Sequence, residues 1–192
     1  MEAFPLDQRM DTTKSPLTHI RWLPAALGFL ALAGLGALLA FGIAYARGGS
    51  SPKLEAAPDF TVPLYSGGAG SFTLSQHRGH PVVLNFWASW CAPCRAEFPA
   101  LQAGADKYND LGLVVIGVAI QDTGDDARAF LKEQNTTFFA GQDMTGQIAL
   151  DYTITGLPAT FFITPEGRIY KKWLGQIDET RLNTFIEELL KT

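Results

Sequence analysis

Apolar residues in this chain fall into short β-branched runs separated by amphipathic stretches, an alternation that predicts strands and helices in turn. Val82 to Ala88 reads as a buried strand, because Val, Leu, Phe and Trp crowd it and no charge interrupts it. Beyond it Phe98, Leu101, Ala105 and Tyr108 recur at three- and four-residue intervals among charged positions, the pattern of an amphipathic helix that begins near Cys91. Phe60 to Leu64 reads as an extended segment, with a turn at Ser66-Gly67-Gly68. Leu113 to Ile120 is a second buried run, and Thr123-Gly124-Asp125-Asp126 offers a capping signal for a helix through Ala129, Phe130 and Leu131. Phe138 and Phe139 read as a short edge strand, and Ile148 to Tyr152 as one helical stretch. Ala159 to Thr164 and Ile169 to Leu174 are joined by Thr164-Pro165-Glu166-Gly167, whose Pro and Gly suit a type I turn, so the two should pair as a hairpin. Asp178 is placed to cap a final helix with Leu182, Phe185, Ile186, Leu189 and Leu190 on one face. The succession describes an α/β domain with a mixed central sheet covered by helices on both sides.

A different pattern precedes this domain. Leu23 to Ala46 contains no charged residue, and these 24 residues would make ~36 Å of helix, enough to cross a ~30 Å hydrocarbon core. A cleaved signal peptide is the competing reading, since Ala44-Tyr45-Ala46 resembles a small-residue cleavage site. The apolar region of such a peptide is only ~7 to 15 residues, however, so the length favours a retained anchor. Arg9, Lys14 and Arg21 precede the span, while Arg47 and Lys53 follow it, a bias that places the N-terminus in the cytoplasm and the domain outside. The expected organisation is a cytoplasmic segment over 1–22, a single transmembrane anchor in the lipid bilayer over 23–46, a linker over 47–55 and one domain over 56–192.

Composition agrees with a globular domain plus an apolar addition: 47% of residues are hydrophobic and 18% charged. The net charge of −4 leaves no electrostatic footprint for nucleic acid.

Cys91 and Cys94 are the only cysteines, and they stand two residues apart in Trp90-Cys91-Ala92-Pro93-Cys94. No other cysteine is left for a structural bridge, so the pair calls for chemistry or a metal. At a helix N-terminus, unpaired backbone N–H groups and the positive end of the macrodipole favour thiolate over thiol. Cys91, the outer cysteine, is the expected nucleophile. Cys94, one turn further in, is placed to attack the mixed disulfide that Cys91 forms with a substrate. Pro93 suits the first turn, where a missing N–H costs little. The metal reading is a zinc site completed by His77 and His80, which have a two-residue gap of their own. Against it, the predicted buried strand lies between the histidines and the cysteines and would hold the two halves apart. His77 and His80 flank Arg78-Gly79 and are expected in a polar turn.

From Ala57 onward the chain resembles the thioredoxin superfamily, and more narrowly its membrane-anchored TlpA/ResA/CcmG-like thiol-disulfide oxidoreductases. The resemblance is carried by Ala57-Pro58-Asp59-Phe60, Leu84-Asn85-Phe86-Trp87, Trp90-Cys91-Ala92-Pro93-Cys94, Glu97-Phe98-Pro99, Gly156-Leu157-Pro158-Ala159-Thr160-Phe161 and Thr164-Pro165-Glu166-Gly167. It implies a thioredoxin-like fold, a redox-active disulfide between Cys91 and Cys94, and active-site support from Trp90, Ala92, Pro93, Leu157 and Pro158. Pro158 would be the family's cis-proline, lying opposite the cysteines. No metal and no cofactor is implied. The implied partners are protein disulfides, among them apocytochrome c cysteines kept reduced for haem attachment, and a membrane thiol-electron donor. The implied setting is the cell membrane, single-pass, with the catalytic domain on the extracytoplasmic side. Direction is expected to be reductive, because Ala92-Pro93 keeps the proline of the reducing thioredoxins and lacks a histidine.

The chain departs from cytoplasmic thioredoxins at Asn85, where they carry a buried acid that moves a proton to or from the inner cysteine. Glu97, one helical turn from Cys94, could substitute, yet on an amphipathic helix a glutamate is expected on the solvated face. Family members often carry an acid near the end of the second strand; here Gln121 follows Ile120, with Asp122 next. Two rivals lack residues that they need. A thiol peroxidase would want Thr or Ser three residues before its reactive cysteine, and that position is Ala88; a copper chaperone would want a late histidine, and His19, His77 and His80 all precede Cys91.

Overall fold

The computed structural model describes residue 28, residues 32–38 and residues 54–192. Residues 32–38 are helical. Most of the span expected at 23–46, all of 1–22 and residues 47–53 of the expected linker lie outside the described residues. Among the described residues no helix is long and apolar enough to cross a membrane.

The domain is built on one seven-stranded sheet in the order β2-β1-β5-β4-β3-β6-β7, formed by β1 (Thr61–Ser66), β2 (Ser71–Thr73), β3 (Val82–Trp87), β4 (Val114–Ala119), β5 (Phe139–Gln142), β6 (Ala159–Ile163) and β7 (Ile169–Leu174). β3, β4 and β5 run parallel; β1, β6 and β7 run against their neighbours. Every residue of β3 and β6 is buried, as expected for strands covered on both faces. The helices are α1 (Ala92–Tyr108), α2 (Gly124–Glu133), α3 (Gln147–Asp151) and α4 (Glu179–Leu189). The predicted hairpin is β6 and β7, and the predicted caps are Thr123 accepting from Asp126 N and Asp178 accepting from Arg181 N. Phe138 and Phe139 require a correction. Only Phe139 enters a strand, as the first residue of β5, and β5 is interior because β1 folds back antiparallel along the edge that the local pattern left free.

Strand periodicity divides the core in two. Val83 and Trp87 of β3 join Phe98 and Leu101 of α1, Phe130 of α2, and Leu182 and Ile186 of α4. Leu84 and Phe86 join Val62 and Phe72 of the N-terminal hairpin, Tyr152 after α3, and Phe161. Asn85 therefore points to the α1 side. Gly104 lets α4 approach α1 closely, since a Cβ there would stand 3.3 Å from Leu182 Cδ2.

Gly117 of β4 lies beside Asn85 in register, and a Cβ at that position would meet Trp87 Nε1 at 2.9 Å. The indole is fully buried behind the active-site loop and edge-on to Phe98. Gly117→Ala should therefore lower stability by about 1–3 kcal/mol in urea denaturation, with no change expected if the indole had room to move.

Candidate active site

β3 ends at Trp87, and the next turn delivers the two cysteines to the first turn of α1. Cys91 is the N-cap of that helix, and its Sγ accepts the N–H of Cys94 at 3.3 Å. A sulfur in the cap position takes the place of the Ser or Asp oxygen usual there, so negative charge on it is stabilised by a backbone donor and by the helix dipole. The two sulfurs are joined in a disulfide with the Cα atoms 5.2 Å apart. Cys91 is 4% exposed and Cys94 fully buried, so the outer position belongs to Cys91, as expected. Pro93 sits in the first turn and, like Ala92, faces solvent.

The loop before Cys91 is fastened from the β4–α2 corner. Asp122 accepts from Ser89 N at 2.6 Å, from Ser89 Oγ at 2.9 Å and from Thr123 N at 2.9 Å. Gln121 adopts a left-handed φ of 51°, and its carbonyl accepts the Trp90 indole N–H at 2.9 Å. Gln142 Nε2 donates to the Asp122 carbonyl at 2.7 Å. From the other side Arg95 pairs with Glu133 and lies over the Phe130 ring, 4.8 Å from its centroid. Trp90 remains 62% exposed beside the nearly closed Cys91 sulfur. The Leu157–Pro158 peptide is cis, Pro158 is buried and Leu157 half-buried; Gly175 N donates to the Pro158 carbonyl at 2.8 Å. Leu157 and Pro158 precede β6, at the end of the sheet where β3 delivers Cys91 and Cys94.

Glu97 overturns one expectation. It is 1% exposed, not solvated: helical spacing places it on the same buried stripe as Cys94, Phe98 and Leu101. Its Oε1 accepts from Asn85 Nδ2 at 2.7 Å, and its Oε2 accepts from Ile177 N at 2.9 Å. No cation among the described residues pairs with it. Burial pushes its carboxyl up to about 7, against the two N–H donors, which pull it down. The acid that Asn85 cannot supply is thus present one helical turn from Cys94. The signal was in the chain: Cys94, Glu97, Phe98 and Leu101 follow the i, i+3, i+4, i+7 rule of the core face. Asp122, by contrast, holds the Ser89 loop. Its place after the second buried run is legible in the chain, but its hold on Ser89 is not, because that partner lies 33 residues away.

The histidines fall elsewhere. His77 closes a single 3₁₀ turn and stacks on Phe72 with centroids 4.3 Å apart, while His80 Nδ1 lies 3.1 Å from the Gly112 carbonyl. Both precede β3 and the cysteines follow it, so about 20 Å of strand separates the two halves of the Cys2His2 set. His77 is also half-buried against an aromatic ring, not in a purely polar turn.

A carboxyl whose folded value lies above its ordinary 4.5 favours the folded state while protonated, and that stability is lost as pH rises through about 7. Between pH 4.5 and 7 the wild-type protein should lose up to ~3 kcal/mol relative to Glu97→Gln in urea titrations. Parallel pH profiles for the two proteins would contradict this account of Glu97.

Comparison with known proteins agrees with the geometry. The chain is 34% identical over 137 residues to the thiol-disulfide oxidoreductase ResA of Oceanobacillus iheyensis, covering 70% of this chain and 71% of that protein. It is 36% identical over 126 residues to the thiol:disulfide interchange protein HelX of Rhodobacter capsulatus, covering 65% and 69%. Among solved structures, a Chlorobium tepidum protein described as a thiol:disulfide interchange protein DsbE superposes with a TM-score of 0.67 at 34% identity, over 73% of this chain and 99% of that one. Residues 54–172 match the AhpC/TSA family, and with the disulfide at the head of α1 and the cis-proline loop at the same end of the sheet, the chain belongs to that family of thioredoxin-like proteins.

Proposed function

We propose that this protein is an extracytoplasmic thiol-disulfide oxidoreductase that reduces protein disulfides through the Cys91–Cys94 couple. The observation that carries the reading is the Cys91 sulfur in the cap of α1 with Cys94 and a buried carboxyl behind it. In the reduced protein the Cys91 thiolate attacks a substrate disulfide, forms a mixed disulfide and releases one substrate sulfur as thiolate. Cys94 then gives up its proton, for which Glu97 is the nearby base, and attacks the Cys91 sulfur. The second substrate sulfur leaves, the substrate has gained two electrons, and Cys91 and Cys94 are again a disulfide. A base that changes charge near pH 7 suits this step, since it can take the proton and return it when the protein is reduced once more. Exposed Trp90 next to Cys91, and the Leu157–Pro158 loop at the same end of the sheet, would form the surface against which an extended substrate segment lies. Ala88, three residues before Cys91, is buried and offers no hydroxyl, which argues against peroxide as the substrate.

The family resemblance and the names of the relatives support a reductive role toward protein disulfides. The apocytochrome c cysteines are the proposed substrate, and a membrane thiol carrier the proposed electron donor. The uncharged span at 23–46 supports a single-pass membrane anchor with the catalytic domain outside.

The protein should catalyse insulin reduction by dithiothreitol, and Cys91→Ser should leave no more than background turnover. Cys94→Ser should accumulate mixed disulfides on non-reducing gels; their absence would remove Cys94 from the resolving role. N-terminal sequencing of the mature protein should find residues 23–46 retained, whereas an N-terminus at Arg47 would replace the anchor by a cleaved signal.

A further inference from the structure

Behind the disulfide, the Glu97 carboxyl and the Thr160 hydroxyl meet at one side-chain amide, that of Asn85. Asn85 is fully buried. Its Nδ2 donates to Glu97 Oε1 at 2.7 Å and to Thr160 Oγ1 at 3.1 Å, while its Oδ1 has no hydrogen-bond partner. A buried carbonyl oxygen without a donor is uncommon. It also means that only the carboxylate and the hydroxyl hold the amide in its orientation.

Consider what happens when Glu97 takes a proton. Oε2 faces the Ile177 backbone N–H, a donor that cannot turn away, so the proton belongs on Oε1. Oε1 then becomes a donor pointing at Asn85 Nδ2, itself a donor. Rotating the amide by half a turn about the Cβ–Cγ bond resolves the conflict. Oδ1 then accepts from the Glu97 O–H, and the Thr160 hydroxyl, which can give or accept, turns to donate to the same oxygen. Each arrangement leaves one amide atom unpaired, Oδ1 in the first and Nδ2 in the second, so neither orientation is locked by a further partner.

We propose that the Asn85 amide is a two-position switch that rotates with the protonation of Glu97, offering N–H to the carboxylate and C=O to the acid, with Thr160 reversing its role in step. Asn85 is a positioning residue: it acts through Glu97 and touches no reacting sulfur in this account. An aspartate at the same place could not serve, because its carboxylate would face that of Glu97. The surroundings leave the switch to these groups. α1 contributes Cys94, and Arg95 of the same helix is engaged by Glu133. β3 adds only the Trp87 indole N–H, which has no hydrogen-bond partner, and β6 contributes only Thr160. Next to Ile177, Asp178 is exposed and occupied in capping α4. On β7, Lys171 pairs with Glu188 and Lys172 lies over the Phe161 ring.

The proposal deepens the thiol-disulfide reading and rests on it for its purpose, but its test does not need turnover. The full chain in detergent micelles, oxidised, is titrated by NMR from pH 5 to pH 9. Cross-peaks between the Asn85 amide protons and the Thr160 methyl should be strong when Glu97 is ionised, and weaken with the Glu97 carboxyl midpoint as pH falls. Cross-peaks that stay constant while Glu97 titrates would overturn the switch, because a change of nearby charge alone moves shifts and not distances. In Asn85→Leu, similar in size, the Glu97 midpoint should move by well under one pH unit, because the amide serves both the carboxylate and the acid, whereas a rise of about one pH unit or more would mark a fixed N–H donor and overturn the switch. Constant cross-peaks with normal insulin reduction remove the switch alone; moving cross-peaks with no insulin reduction remove the functional reading and leave the switch standing.

Discussion

β3 is paired along both edges, parallel to β4 and antiparallel to β6, and neither of its faces reaches solvent. A strand so enclosed has one register open to it, because a slip by one residue would exchange the faces of Val83, Asn85 and Trp87 with those of Val82, Leu84 and Phe86. That fixed register sets three things together. It places Cys91 at the head of α1, it seats the Trp87 indole under the active-site loop, and it turns Asn85 toward the helix that carries Glu97. The chemistry at the end of the strand depends on packing along its whole length.

Two opposing effects meet in the first two turns of α1. At the surface end, the helix terminus stabilises charge on the Cys91 sulfur, with a backbone donor 3.3 Å away. At the buried end, the same helix holds a carboxyl in a site that disfavours charge and is eased only by Asn85 and Ile177. One element thus favours the deprotonated outer sulfur and the protonated inner carboxyl, a division of proton affinity that suits thiol-disulfide exchange. The clamps on Ser89 from Asp122 and on Trp90 from Gln121 keep the loop between strand and helix from relaxing that geometry.

Much of this was legible in the residues. The CxxC after an apolar run, the helix caps at Thr123 and Asp178 and the hairpin turn at Thr164-Pro165-Glu166-Gly167 are local signals, because each depends on residues within a few positions of one another. The interior place of β5 is not a local property, since its outer neighbour β1 lies more than 70 residues earlier and no local pattern reports that pairing. Glu97 differs: a carboxylate ordinarily faces water, but the spacing of Cys94, Phe98 and Leu101 puts this one on the inward stripe.

What the sequence by itself determined is the order of elements, the cysteine pair at a helix start and the absence of an acid at position 85. Those follow from covalent spacing and from the periods of strand and helix. Only the tertiary structure decided that Glu97 is buried with Asn85, Thr160 and the Ile177 N–H around it, that Asp122 reaches back to Ser89, and that the histidines lie at the far end of β3 from the sulfurs. The physical reason is that burial and hydrogen bonding are properties of neighbours in space, and these neighbours come from strands and loops 12 to 80 residues apart.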